Sequence, residues 1–320
     1  MKRISVQGLD KSCSQLILGT SGLAAEQREA FELLDTYVEL GGNTLDTAHL
    51  YNNGASERTI GKWIEERQNR DQIVLVDKGG HHHVAKDGSH DASVSRVNAQ
   101  EITRDLLESL ERLQVAYIDL YLLHRDDPTV HVAELIDMLE EHIQSGRIKR
   151  AGVSNWTYER IEEANRYADE KGYNCLVVNS PSLSLANINE PRWPGTVYID
   201  QDYKQWHYKT QMPLFSWASQ ASGFFTGRFS PDVKTNPDLA RVYYNDANWK
   251  RFHRARALAK QKGSKVTPNH IALYYVLNQP FPTCAVIGSQ NVKELRDSYT
   301  ALDLSISHEE LQWVNLEKEE

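Results

Sequence analysis

Four side chains in this sequence are spaced to move a proton onto an oxygen. Asp46 closes the short apolar stretch Thr44-Leu45, and Tyr51 ends the segment Asp46-Thr47-Ala48-His49-Leu50-Tyr51. The run Val74-Leu75-Val76 leads through Asp77 to Lys78, and Ile118-Asp119-Leu120-Tyr121-Leu122-Leu123 leads to His124. A free phenol, with a pKa of about 10, is a poor acid at neutral pH. An ammonium group beside it favours the phenolate and lowers that pKa, while a carboxylate keeps the ammonium charged. A phenol grouped with an ammonium, a carboxylate and an imidazole is therefore a way to build a general acid.

Groups so far apart in sequence need a scaffold that gathers strand ends. Short apolar runs occur at residues 16–18, 44–45, 73–76, 118–123, 148–153, 176–178, 213–216 and 284–287. They are nearly unbroken, as strands buried on both faces require. Amphipathic stretches lie between them. Ala30, Phe31, Leu34 and Val38 share one face of a helix predicted over 25–40. Asn98 with Glu101 predicts a cap for a helix over 98–113, Thr267-Pro268 opens another, and Ser307 with Glu310 opens a short terminal one. Eight strands alternating with helices predict an α/β fold, either a closed (β/α)8 TIM barrel or a doubly wound sheet. No Gly-x-Gly-x-x-Gly follows the first strand, so the doubly wound dinucleotide fold lacks its main signature. The length of 320 residues suits a barrel, and we read residues 1–320 as one barrel domain. Residues 180–212 and 219–246 are too long for simple turns and are expected as loops serving the C-terminal face.

Composition narrows the function. A formal net charge of −8 with no long basic stripe argues against binding nucleic acid or an anionic membrane. No stretch is apolar enough to span a bilayer, and the first residues lack a signal-peptide pattern. Cys13, Cys175 and Cys284 are widely spaced and read as buried free thiols, as in a reduced, cytoplasmic protein. His81-His82-His83, with His90 close behind, is dense enough in imidazole to suggest zinc. Consecutive residues rarely all reach one ion, and no cysteine or clear carboxylate sits at metal spacing. We therefore expect a polar rim loop and no metal. The basic stretch 248–262 reads as a solvated helix face.

The order Asp46, Tyr51, Lys78, His124 resembles the aldo-keto reductase superfamily over nearly the whole chain. Supporting matches are Gly19-Thr20, Leu123-His124-Arg125-Asp126, Gly146-Arg147-Ile148-Lys149-Arg150-Ala151-Gly152-Val153-Ser154-Asn155, Gly223-Phe224-Phe225-Thr226-Gly227 and Ile287-Gly288-Ser289. The resemblance implies a TIM barrel that reduces an aldehyde or ketone by hydride transfer from a nicotinamide. Tyr51 would be the general acid, Lys78 would lower its pKa, Asp46 would hold Lys78, and His124 would orient the carbonyl. It also implies cofactor contacts. Gly19 and Thr20 lie near the start of the fold, Ser154 and Asn155 at the carboxamide, and Asn179 where the family usually has glutamine. Trp217 would stack on the nicotinamide, and Ser219 and Gln220 would lie near the pyrophosphate. Ala218-Ser219-Gln220 departs from the family's frequent Ser-Pro-Leu. Gly288, Ser289, Gln290, Glu294 and Ser298 would meet the adenosine end, with Ser289 starting a helix whose amides face phosphate. Family habit puts NADP(H) slightly ahead, while Gln290 and Glu294, in place of basic residues, leave NAD(H) open. A carbonyl or alcohol substrate would meet His81, Trp156, Trp193 and Tyr243, with Trp206 and Tyr244 as further aromatic walls. Asn187, Asn189 and Arg192 point to a hydroxylated, sugar-derived compound. Two rival readings are a cofactor-binding regulatory subunit of slow turnover and a Schiff-base aldolase built on Lys78. The second gives no role to the Asp46–Tyr51 spacing.

Overall fold

Strand alternation decides what this chain can bring to one place. Ile17, Val74, Val76, Leu120, Leu122, Val178, Phe215 and Cys284 pack on one another in one apolar cluster. Their neighbours Leu16, Leu18, Leu45, Leu75, Leu123, Val153, Leu214 and Ile287 pack in a second cluster with the helices. Two buried faces on every strand produce the unbroken apolar runs and place one set of residues inside a ring. In the computed structural model, which describes residues 1–84, 90, 91 and 93–319, that ring is a closed eight-stranded barrel. Its strands are β1 (Leu16–Gly19), β2 (Thr44–Asp46), β3 (Val74–Gly79) and β4 (Ile118–Leu123). They continue with β5 (Ile148–Ser154), β6 (Asn179–Ser180), β7 (Leu214–Ser216) and β8 (Thr283–Ile287). Each pairs in parallel with the next, and β8 closes on β1. The fold is the predicted (β/α)8 barrel.

The N-terminal hairpin, Arg3–Ile4 against Cys13–Ser14, brings Ile4, Val6 and Leu9 onto the lumen cluster at the floor of the barrel. Helices Gln27–Glu39 and Ala99–Leu113 form where the apolar spacing predicts them, and Asn98 accepts from the Glu101 amide. Thr267 and Ser307 complete capping boxes, the first with His270 and the second with Glu310.

Several expectations are corrected. Strand β6 starts at Asn179, where the chain pairs with both Val153 and Leu214, rather than at 176. Residues 180–212 and 219–246 are not loops throughout. They contain helices Gln201–Thr210 and Pro237–Tyr243, capped by Asp200 and Asn236. The basic helix Asp246–Lys262 is only partly a solvated face: Lys250, Arg256 and Lys260 are exposed, whereas Arg254 donates to the Trp313 and Lys318 carbonyls and Lys262 pairs with Glu310. Arg254 and Lys262 therefore tie down the C-terminal segment. Cys13 and Cys284 are buried, but Cys175 is only half-buried. No described helix is long and apolar enough to cross a membrane.

Candidate active site

The lumen-facing series continues past the C-terminal end of each strand. Gly19 lies two residues beyond Ile17, Lys78 beyond Val76, His124 beyond Leu122, Trp217 beyond Phe215 and Gly288 beyond Val286. Asp46 ends β2 beside them. With a period of two, these positions all turn toward the barrel mouth.

Lys78 Nζ donates to Asp46 Oδ1 at 2.7 Å, to the Thr47 carbonyl at 2.8 Å and to the Tyr51 hydroxyl at 3.3 Å. Tyr51 is carried by the turn Tyr51–Gly54, in which Asn52 and Asn53 take φ of 50° and 53°. Asparagine enters that left-handed region more readily than most side chains. The Tyr51 and His124 rings meet edge-on with centroids 5.9 Å apart, and His81 meets His124 at 4.9 Å. Asp46, Lys78 and His124 are all buried. The four residues singled out by sequence spacing thus share one pocket.

Burial sets the electrostatics. It pushes the Tyr51 phenol above its ordinary range; the Lys78 charge opposes this without overcoming it. Lys78 thus pulls the phenol down as expected, but desolvation outweighs the ammonium and leaves the net value raised. Burial likewise raises the Asp46 carboxyl against the pull of Lys78. Burial works against the Lys78 charge too, but the Asp46 carboxylate and Tyr51 outweigh it and hold the ammonium above its usual value. His124 lies well below the usual imidazole value, through burial first and then the charges of His81, Arg125 and Lys78, so its ring is neutral at pH 7. The pocket holds a protonated phenol, an ammonium shared with a carboxylate, and a neutral imidazole.

The family model described as "Aldo/keto reductase family" matches residues 15–315. This chain belongs to that family. It is 29% identical over 301 residues to the norsolorinic acid reductase of Aspergillus flavus, a match covering 93% of this chain and 74% of that protein. It is 26% identical over 305 residues to an NADP(+) aryl-alcohol dehydrogenase of Phanerodontia chrysosporium, covering 92% and 77%. The solved glycerol dehydrogenase of Gluconobacter oxydans superposes with a TM-score of 0.80 at 22% identity, covering 98% of this chain and 94% of that one. The protein is an NAD(P)-dependent oxidoreductase that interconverts carbonyl and alcohol groups.

In this aldo-keto reductase the residues with suspected cofactor roles divide. The Ser154 hydroxyl donates to the Ser180 carbonyl at 2.7 Å, and Asn155 Nδ2 donates to the His124 carbonyl and to Ser154 Oγ. Asn155 Oδ1 accepts from the Val197 amide at 3.1 Å. Both side chains have spent their donors and retain only acceptor capacity. Trp217 stands at the rim with its Nε1 buried and lacking a partner. The Ser219 hydroxyl is bound to the Val286 carbonyl at 2.7 Å, and Gln220 precedes the tight turn Ala221–Thr226. The Thr20 amide and hydroxyl both donate to the Asp46 carbonyl, fixing β1 to β2 beside the pocket. Gly288 opens a gap: a Cβ there would meet nothing within 4 Å.

Other expected contacts are absent. Asn179 faces away from the lumen and donates to the Tyr203 hydroxyl and His207 Nε2 on helix Gln201–Thr210. The alternation that sends Val178 inward sends Ser180, not Asn179, toward the mouth. Ser289 does not start a helix. Helix Val292–Tyr299 is capped by Asn291, and Glu294 reaches back to the Gln290 amide at 3.0 Å. The Ser298 hydroxyl bonds within its own helix to the Glu294 carbonyl.

Among the suspected substrate residues, His81 is buried against His124, and Trp193 is exposed beside Trp217 with centroids 6.1 Å apart. Trp156 is fully buried and donates to the Arg125 carbonyl, while Tyr243 is buried with Phe224 in a separate aromatic cluster. Trp206 packs on Tyr158, Tyr203 and His207, outside the barrel. Asn189 is spent on the Arg241 and Tyr244 carbonyls, and Asn187 accepts from the Tyr198 hydroxyl. Both asparagines are thus engaged, while Arg192 donates to the Ser222 hydroxyl and keeps a buried Nε without a partner. Among the described residues no group of histidine, cysteine and carboxylate side chains is arranged to hold a metal ion. The side chain of His90 lies outside the described residues.

Proposed function

We propose that Tyr51 is the proton donor in carbonyl reduction, with Lys78, Asp46 and His124 supporting it. The observation that carries this reading is the single ammonium shared between Asp46 and the Tyr51 hydroxyl. The Tyr51 hydroxyl and the neutral His124 ring hold the carbonyl oxygen. Bound nicotinamide supplies the hydride. As charge develops on the oxygen, Tyr51 releases its proton and Lys78 stabilises the phenolate left behind. Because burial holds the phenol protonated through neutral pH, the resting site is in the form that reduction requires. Oxidation needs the phenolate. A Schiff-base role for Lys78 fits poorly, since Asp46 and Tyr51 keep the amine protonated and hence not nucleophilic.

The site suits a nicotinamide. Trp217 offers a ring face at the mouth, and Ser154 and Asn155 offer acceptors for the carboxamide N–H groups. The open gap at Gly288 leaves backbone room for phosphate. NADP(H) is the preferred nucleotide in this reading. Glu294 is drawn onto the Gln290 amide, while Lys293 and Arg296 are exposed on the same short helix and available to a 2′-phosphate.

The test is initial rates of carbonyl reduction and alcohol oxidation across pH 6 to 10.5 with both nucleotides. Reduction should be level through neutral pH, oxidation should climb with pH, and NADPH should give the higher kcat/KM. No turnover in either direction with either nucleotide would sink the reading. Higher kcat/KM with NADH would overturn the nucleotide choice alone.

A further inference from the structure

Resting on the carbonyl-reduction reading, the structure points to a class of substrate. We propose that Arg125 binds an anionic group, carboxylate or phosphate, carried by the carbonyl substrate. Arg125 follows His124 at the end of β4 and is only 6% exposed. Its Nη1 donates to the His124 carbonyl at 3.1 Å, and its Nε is buried with no partner. Its backbone is pinned by Trp156, whose indole N–H donates to the Arg125 carbonyl at 3.2 Å. Among the described residues no carboxylate forms an ion pair with it, because the adjacent Asp126 is engaged by Arg160 at 3.2 Å.

A guanidinium taken out of water without a counter-ion costs several kcal/mol. The strain shows in Arg125, which burial pulls down to about 10, with Tyr51 the one group that opposes the shift. Arg125 in turn acts on both Tyr51 and His124. Through Nη1 on the His124 carbonyl the guanidinium is held beside this catalytic residue. Gly195 lies over its stem: a Cβ there would stand 4.0 Å from Arg125 Cδ. The segment around it is anchored through the Val197 amide to Asn155. The guanidinium has a fixed backbone, a roof and, among the described residues, no counter-ion, and its planar fork matches two oxygens of an oxyanion.

The nucleotide's own phosphates are a second source of the same chemistry, and the topology argues against them. The Gly288 gap and helix Val292–Tyr299 follow β8, whereas Arg125 follows β4. In the ring order these strands are four positions apart in either direction, on opposite sides of the mouth. An anion at Arg125 thus sits across the pocket from the expected phosphate track and near Tyr51, where a substrate's tail would lie.

The experiment compares kcat/KM for two matched pairs, benzaldehyde with 4-carboxybenzaldehyde and glyceraldehyde with its 3-phosphate, in the wild-type enzyme, Arg125→Gln and Arg125→Lys. The charged member of at least one pair should be preferred, and which pair shows it tells carboxylate from phosphate. Arg125→Gln should lower that preference about 30-fold, as loss of a charge-assisted bidentate contact requires. Arg125→Lys should keep part of it. If Arg125→Gln does not fold, Arg125→Lys decides: a preference lowered at least threefold supports the proposal, and an unchanged one overturns it. No preference in wild type, or a preference untouched by Arg125→Gln, also overturns it. A loss expressed in the KM for NADPH would assign Arg125 to the nucleotide and overturn the substrate role. Turnover of neither pair would instead mark failure of the reduction reading on which this proposal stands.

Discussion

Strand β4 has a charged group near each end, Asp119 at the floor and Arg125 at the rim, and the two are partnered differently. At the floor, Asp119 accepts from Arg70 at 2.7 Å and from the Leu75 amide at 3.0 Å, and pairs with Lys11 at 2.9 Å. The surrounding cations also stack on Tyr117, with Arg70 at 4.2 Å and Lys149 at 4.6 Å. At the rim, His124 Nδ1, Arg125 Nε and Trp217 Nε1 are buried with no partner. Buried polar atoms are normally satisfied, so such a group of exceptions calls for a cause. At the floor the Asp119 carboxylate is fully engaged, although Arg70 Nε there is also buried without a partner; at the rim the unpartnered His124, Arg125 and Trp217 nitrogens are grouped around the pocket, where a ligand can reach them. Lys78 and Asp46, which pair at the rim, combine the two behaviours.

That contrast can be broken from either end. Lys78→Met should lower kcat about a thousandfold, since it removes the cation that stabilises the phenolate. It should also destabilise the fold by about 3 kcal/mol by leaving Asp46 buried without its partner. Asp119→Ala should cost a similar stability, because Arg70 and Lys11 lose their counter-ion, while kcat of the folded enzyme stays within about twofold. Urea melts alongside steady-state rates check both. A large fall in kcat for Asp119→Ala, with the fold intact, would erase the distinction.

A second test concerns the helix layer. His207 Nδ1 bonds the Met212 carbonyl at 2.9 Å, so the neutral ring accepts from Asn179 through Nε2. A proton on Nε2 would set donor against donor, and burial already holds this ring at about 4. The unfolded ring protonates near 6.5. Between these values the unfolded chain binds more protons, so stability falls as pH drops from 6.5 to 4, by about 1.4 kcal/mol per pH unit from this group. Above 6.5 it contributes no slope. Urea midpoints should show that decline, and His207→Gln should flatten it; equal slopes in both proteins would refute the assignment.

The smallest effect sharpens the boundary. Asn179→Ala should cost about 1–2 kcal/mol through the lost bonds to Tyr203 and His207. The nucleotide KM should move less than about twofold. A tenfold rise in that KM would return Asn179 to the cofactor site.

Much of this site was legible because Lys78 and His124 each lie just past an unmistakable apolar run, and alternation carries them inward. The error at Asn179 has the same origin. The run 176–178 reads as the strand, but its pairing lies at Asn179–Ser180, and sequence alone shows no register. Counting by two from Val178 nevertheless selects Ser180. The cap at Asn291 was also legible, since Asn291-x-x-Glu294 repeats the Asn98-x-x-Glu101 pattern. Trp156 and Tyr243 were not separable from rim aromatics, because a buried indole or phenol and an exposed one read alike until tertiary partners are known. Arg125 stood in plain view beside His124. Its lack of a counter-ion is a fact of three dimensions only.

The most direct measurement is the single-turnover rate of carbonyl reduction by Tyr51→Phe, read beside its affinity for NADPH. A phenol that donates the proton predicts a rate about a thousandfold lower, with nucleotide affinity within about threefold of wild type. A rate within tenfold of wild type, at the same affinity, would show that the proton comes from elsewhere.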